Sequence, residues 1–141
     1  MTTKDREKLT VELMRDEGVK LKVYKDSLGI ETIGVGRNIR DKGITADEAM
    51  FLLENDIEEC LADCLRFPWF ADLDGVRQRV LVNMRFNLGA KGLRTFKNTL
   101  RLIERGEFLL AAANMLKSKW SKQVGKRAIR LAAMMETGRD V

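Results

Sequence analysis

Between Gly18 and Ile39 the apolar residues stop recurring at helical intervals. They come instead in short β-type runs, Leu21 and Val23, then Ile30, Ile33 and Val35, on either side of the turn Asp26-Ser27-Leu28-Gly29. On both sides of this segment the spacing is helical. One short strand-forming region cannot supply a sandwich, a barrel or a parallel sheet. The pattern predicts a small antiparallel hairpin, with a third short strand near Ile39, in an otherwise helical protein. Gly34 and Gly36 mark a bulge or a close backbone approach.

The flanking helices can be placed from their caps. Residues 4–16 read as an amphipathic helix capped by Thr3, with Leu9, Leu13 and Met14 as its stripe and Gly18 as its stop. Thr45 and Glu48 form a capping box that opens a long helix over about 45–66. Phe67-Pro68-Trp69-Phe70 breaks it as an aromatic corner. Four further helices follow, over about 74–88 (capped by Asp74, stopped by Gly89), 95–105 (capped by Thr95), 107–119 and 126–137. The expected fold is α+β and mostly helical. A hairpin lobe, about 15–45, is joined by the long helix to a helical lobe, about 66–141 plus the N-terminal helix, within one domain of 141 residues. The expected site is a cleft between the lobes.

Composition removes several chemistries. The chain has no histidine, which rules out Ser-His-Asp and Cys-His catalysis and His-based zinc hydrolases. Cys60 and Cys64, one helical turn apart, read as small apolar residues rather than a disulfide or metal site. No apolar run reaches the ~20 residues of a membrane span. The charged start MTTKDREK lacks the apolar core of a signal peptide, so synthesis in a cytosol without an export signal is expected. Residues 1–66 carry 11 basic and 15 acidic side chains, whereas residues 91–141 carry 12 basic and 4 acidic. The basic half suits an anionic partner, whether nucleic acid, a membrane surface or an acidic wall polymer, and charge alone does not choose among them.

Without histidine, proton transfer near neutral pH falls to carboxylates in unlike environments. Glu17 sits at a helix C-terminus, where the dipole disfavours its charge, and suits a proton donor. Asp26, in a polar turn, suits an ionised base. Thr32 can hold a water beside it, since a hydroxyl both donates and accepts. This is the set that glycosidic cleavage requires. Among 21 acidic residues, however, two spaced nine apart are a thin signal.

The surrounding residues carry more. Glu17-Gly18, Leu21, Tyr24, Asp26, Gly29 and Thr32-Ile33-Gly34-Val35-Gly36 resemble the signature of the phage-type lysozymes, glycoside hydrolase family 24, with the same spacing throughout. The resemblance continues through Gly43-Ile44-Thr45 and Asp47-Glu48-Ala49, then Val76-Arg77, Asn83-Met84, Phe86, Gly89, Phe96, Asn98 and Leu100-Arg101. It runs on to Ala112-Ala113, Trp120, Gln123, Arg127-Ala128 and Thr137-Gly138. It implies a phage endolysin, a muramidase that hydrolyses the β-1,4 bond between N-acetylmuramic acid and N-acetylglucosamine for host lysis. An inverting route is implied, with Glu17 as general acid and Asp26 with Thr32 holding the attacking water. No metal or cofactor is implied.

Other positions carry over singly. Arg127 matches the arginine that pairs with the catalytic glutamate, which opposes the effects that raise the Glu17 pKa. Gln123 is a supporting position. Asn38, Phe86, Thr99 and Asn114 fall where the family touches the glycan. Arg37 departs from the family's usual histidine, and Asp56 on the long helix is its expected partner. The implied setting is a monomer made in a bacterial cytoplasm and acting on peptidoglycan in the periplasm, with no nucleic acid bound. The rival readings are a basic nucleic-acid-binding module, a non-catalytic tail component and a chitin-cleaving relative.

Overall fold

A computed structural model describes all residues 1–141. The order is α1 (Thr3–Glu17), β1 (Lys20–Lys25), β2 (Glu31–Gly34), β3 (Arg37–Asn38), α2 (Ala46–Cys64), a 3₁₀ turn (Phe70–Asp72), α3 (Gly75–Arg94), α4 (Lys97–Glu104), α5 (Phe108–Leu116), α6 (Lys119–Val124) and α7 (Lys126–Thr137). The expected α+β class, mostly helical with one small sheet, is the observed one. The chain forms two compact units, Met1–Phe51 and Leu52–Val141.

The first unit holds α1 and the three-stranded antiparallel sheet, ordered β1-β2-β3. Tyr24 lies opposite Thr32, and Thr32 opposite Asn38. The register shifts between Lys20 and Tyr24, an irregularity in the first pairing. The cap of α1 is Thr2, not Thr3: the Thr2 hydroxyl accepts from the Asp5 amide at 3.1 Å. The proposed stripe of α1 is exposed along its length, and no residue of that helix is buried. Thr32 is the one fully buried residue of this unit.

The second unit carries the core. Phe70, Leu81, Met84, Leu93, Ile103, Met115, Trp120 and Met135 are buried together, with Cys64 of α2 against them. α7 packs on α5, α3 and α6, and α4 on α5. The aromatic corner is present: Phe67 and Trp69 stack at 5.1 Å and Phe70 is buried behind them. Arg77 of α3 ties the C-terminal turn of α7 down, donating to the carbonyls of Met135 at 2.7 Å and Glu136 at 2.9 Å, with its guanidinium 3.7 Å from the Phe108 ring centre.

The backbone of Gly89 is non-helical, with φ of 78° and ψ of 166°, so the first helix of the α3 run stops there as expected and a second helical stretch continues to Arg94. Two helix boundaries differ from the sequence reading. Thr95 does not cap α4. Its hydroxyl donates back to the Gly92 carbonyl at 2.6 Å, closing α3, and α4 begins two residues later. The single helix expected over 107–119 ends at Leu116, and Ser118 caps the separate α6 by accepting from the Ser121 amide at 3.1 Å. Serine and threonine near helix ends bond the backbone in either direction, so their presence marks a boundary but not its side.

Candidate active site

Glu17 is the last residue of α1 and is exposed. Its carboxylate rests on the backbone of Gly36. A Cβ at that position would fall 2.7 Å from Glu17 Oε2 and 2.9 Å from Cδ. Gly36 also has φ of 65°, so both space and backbone require glycine there. This is the close approach that the glycines after Thr32 indicated.

Asp26 lies at the start of the β1–β2 turn, half-buried. Its Oδ1 accepts from the amides of Leu28 at 2.8 Å and Ile30 at 2.9 Å. These two bonds fix the orientation of the carboxylate while leaving Oδ2 out of the turn's own bonding. Thr32, on β2, donates its hydroxyl proton to the Ile30 carbonyl at 2.8 Å. The same carbonyl accepts from the Asp26 amide at 3.0 Å. The threonine oxygen is thereby left as an acceptor.

The residues expected to touch the glycan fall into several environments. Asn38 is committed to its own turn. Its amide donates to Asp41 at 2.9 Å, its carbonyl oxygen accepts from the Asp41 backbone, and its bond holds the Asp41 carboxyl below the usual range. Thr99 is buried and reaches no surface. It donates to Asn114 Oδ1 at 2.6 Å and so orients that amide. Asn114 and Gln123 line one cavity of the second unit, 520 Å³, with Phe96 and Trp120 in its wall and Lys97, Lys117 and Lys119 around it. Phe96 and Trp120 meet edge-to-face at 5.9 Å, and the Trp120 indole donates to Asn87 at 2.7 Å.

Phe86 and Arg127 line a second, more apolar groove of 730 Å³ with Leu53, Ile57, Leu61 and Val82. Arg127 is anchored by Asn83, whose Oδ1 accepts from Nε at 2.9 Å and from Nη2 at 2.7 Å. Sequence reasoning matched Asn83 to the family but gave it no role. No spacing rule could supply one, because its partner is 44 residues away.

One expected contact is corrected. The acidic partner of Arg37 is Glu48, not Asp56: Arg37 Nη1 donates to Glu48 Oε1 at 2.7 Å and to the Gly43 carbonyl at 3.4 Å. The connection from Arg37 to Thr45 is short, which keeps the arginine at the first turn of α2. Asp56 lies about 12 Å further along that helix. The capping box is present and shares the same oxygen. Glu48 Oε1 accepts from the Thr45 amide at 2.9 Å, and the Thr45 hydroxyl accepts from the Glu48 amide at 3.1 Å. The Thr45 amide first, and then Arg37, hold the Glu48 carboxyl down at about 2.

Cys60 and Cys64 are free thiols, fully buried, and burial raises both, Cys64 to about 11. Arg85 lies over Cys60 and is bound to Asp63 at 2.6 Å and Glu59 at 3.2 Å, which joins α3 to α2. No cluster of His, Cys, Asp or Glu has metal-binding geometry, and no helix is long and apolar enough to cross a membrane.

Comparison with known proteins follows the same lines. Residues 14–136 match the phage lysozyme family model. The probable T4-type lysozyme 1 of Dictyostelium discoideum is 30% identical over 89% of this chain and 92% of its own length. The endolysin of Salmonella phage P22 is 35% identical over 55% of this chain and 58% of its own. The pre-baseplate central spike protein Gp5 of Enterobacteria phage T4 is 30% identical over 89% of this chain, which spans 27% of that protein. A match over most of the chain, on a mostly helical fold with one small antiparallel sheet, makes this protein a member of the phage lysozyme family, with the glycoside hydrolase activity on peptidoglycan that defines it.

Proposed function

We propose that the protein is an endolysin that cleaves the β-1,4 bond between N-acetylmuramic acid and N-acetylglucosamine by a single inverting displacement. Glu17 gives its proton to the glycosidic oxygen. Water attacks C1 of the muramic acid from the opposite face and passes its proton to Asp26. The products are a new reducing N-acetylmuramic acid end and a free 4-hydroxyl on N-acetylglucosamine. For a water to fit, the two carboxyl groups work ~6.5–9.5 Å apart.

The observation that carries this reading is the bonding around Ile30. With Asp26 Oδ1 occupied by two amides and the Thr32 proton given to a carbonyl, both residues offer water an acceptor. A water that donates one proton to each keeps a lone pair for the sugar. Arg127, held by Asn83, is assigned a supporting role. Phe86 and Asn114 are assigned to glycan contact, with Thr99 and Gln123 behind them. Asn38 joins the glycan set only through its backbone, since its amide serves Asp41. The setting proposed is host lysis, by a monomer acting in the periplasm.

The test is clearing of outer-membrane-stripped Gram-negative cells by the parent and by Glu17→Gln, with the released ends identified by mass spectrometry and the first-formed anomer by NMR. Clearing by the parent alone, with α-configured N-acetylmuramic acid ends, supports every step. Absence of clearing by folded parent protein refutes the activity, and a β-configured first product refutes inversion.

A further inference from the structure

Glu17 is exposed at a helix end, so its position depends on what its carboxylate rests on, and that is the turn at Gly36. Gly36 links β2 to β3, and the next residue is Arg37. Arg37 is clamped by its bonds to Glu48 at 2.7 Å and to the Gly43 carbonyl at 3.4 Å. Glu48 is itself fixed at the first turn of α2 through the Thr45 amide at 2.9 Å. A continuous run of fixed groups therefore leads from the start of α2 through Glu48, Arg37 and Gly36 to the Glu17 carboxyl. Every member lies in the first unit.

We propose that the Arg37–Glu48 ion pair is a positioning device for the reaction, holding the Gly36 turn where it presents the Glu17 carboxyl to the glycosidic oxygen. This rests on the reading of Glu17 as the acid. Arg37 reaches both acceptors from one nitrogen, Nη1, whose two N–H directions are fixed by the planar guanidinium. A lysine carries its three donors on a freely rotating ammonium at the end of a flexible stem and holds the turn less firmly. Neither Arg37 nor Glu48 contacts the sugar in this scheme, so loosening them leaves binding intact and displaces the acid. A displacement near 1 Å can cost about 100-fold in rate, and partial relaxation of the turn correspondingly less.

The test measures kcat and KM on purified glycan-strand fragments for Arg37→Gln, Arg37→Lys, Glu48→Gln and the double Gln variant, well below the thermal midpoint of each. Glutamine at position 48 still completes the capping box, so folding is kept while the ion pair is lost. The expected result is a kcat about tenfold lower in each single Gln variant, KM changed by less than about twofold, no further loss in the double variant, and partial recovery with lysine. A parent-like kcat with only a lowered midpoint overturns the proposal, as does an additive double variant. Glu17→Gln run alongside separates the two layers. If it is inactive while Arg37→Gln keeps the parent kcat, only the positioning role fails. If it is fully active, the acid assignment fails first.

Discussion

Asp26 and Thr32 are joined through one residue, Ile30, whose carbonyl accepts from the Asp26 amide and the Thr32 hydroxyl while its amide donates to the Asp26 carboxylate. The β1–β2 turn thus sets both side chains at once. Thr32→Val keeps the shape and removes the hydroxyl, and the Ile30 carbonyl retains its bond from Asp26. Stability should fall by only about 1 kcal/mol, whereas kcat should fall at least about tenfold, because a water acceptor is lost. Thr32→Ser should keep most of the rate. Thermal unfolding and steady-state kinetics on the same samples separate the two effects.

The Glu48 carboxyl, held at about 2 against an ordinary 4.5, makes a pH-dependent contribution to stability. A depressed acid stabilises the folded state above its unfolded pKa, and that contribution is lost as pH falls through the folded value. The window is therefore about 4.5 down to 2. Glu48→Gln should show a shallower fall in urea midpoint across that range than the parent does. With no histidine in the chain, no histidine-linked change should appear near neutrality.

Arg77 is the main polar tie in the second unit, linking Asp74, two α7 carbonyls and the Phe108 ring. Burial pushes the Asp74 carboxyl up, but the Arg77 amide and guanidinium outweigh it and leave it lowered. Arg77→Met frees two carbonyls and one carboxylate, and should destabilise by about 3 kcal/mol. Specific activity of the folded fraction should be unchanged. Urea melts together with activity at low temperature test both parts.

Cys60 and Cys64 should be inert in the native protein, since they are buried and their thiols are pushed up by burial. A chromogenic disulfide reagent should release colour only when the protein unfolds, at a rate that follows unfolding. Clearing activity should be the same with and without reductant. Rapid labelling of two thiols at neutral pH under native conditions would contradict the buried placement.

Much of this was legible in the sequence where the signal is local. The hairpin, the capping box at Thr45 and Glu48, the Asp74 cap and the final helix follow from spacing and turn chemistry over a few residues. The family signature located Glu17, Asp26 and Thr32, and the glycine of closest approach lay within it. What was not legible depends on where side chains reach. Arg37 had acidic candidates at several turns of α2, and only the fold picks Glu48. Asn38 and Thr99 look like surface polar residues in the sequence, yet each is consumed by a partner, Asp41 or Asn114. The breaks at 95–97 and 116–119 were misplaced because the Thr95 hydroxyl only closes the helix before it, whereas the Ser118 hydroxyl both closes α5 at the Met115 carbonyl and opens α6 at the Ser121 amide.

In the first unit no apolar side chain is fully buried, and Leu21 and Val23 of its sheet stand largely open to solvent. Its order comes from turns, amide-to-carboxylate bonds and ion pairs open to solvent, whereas the second unit is built around a dry core. Hydrogen bonds open to water are individually cheap to break, so this part should exchange its amide protons through local openings well below the global unfolding free energy. The three proposed catalytic side chains all lie there. Heat should therefore silence the enzyme before it melts the protein, with turnover declining over a temperature range in which the helical core still gives a full circular dichroism signal.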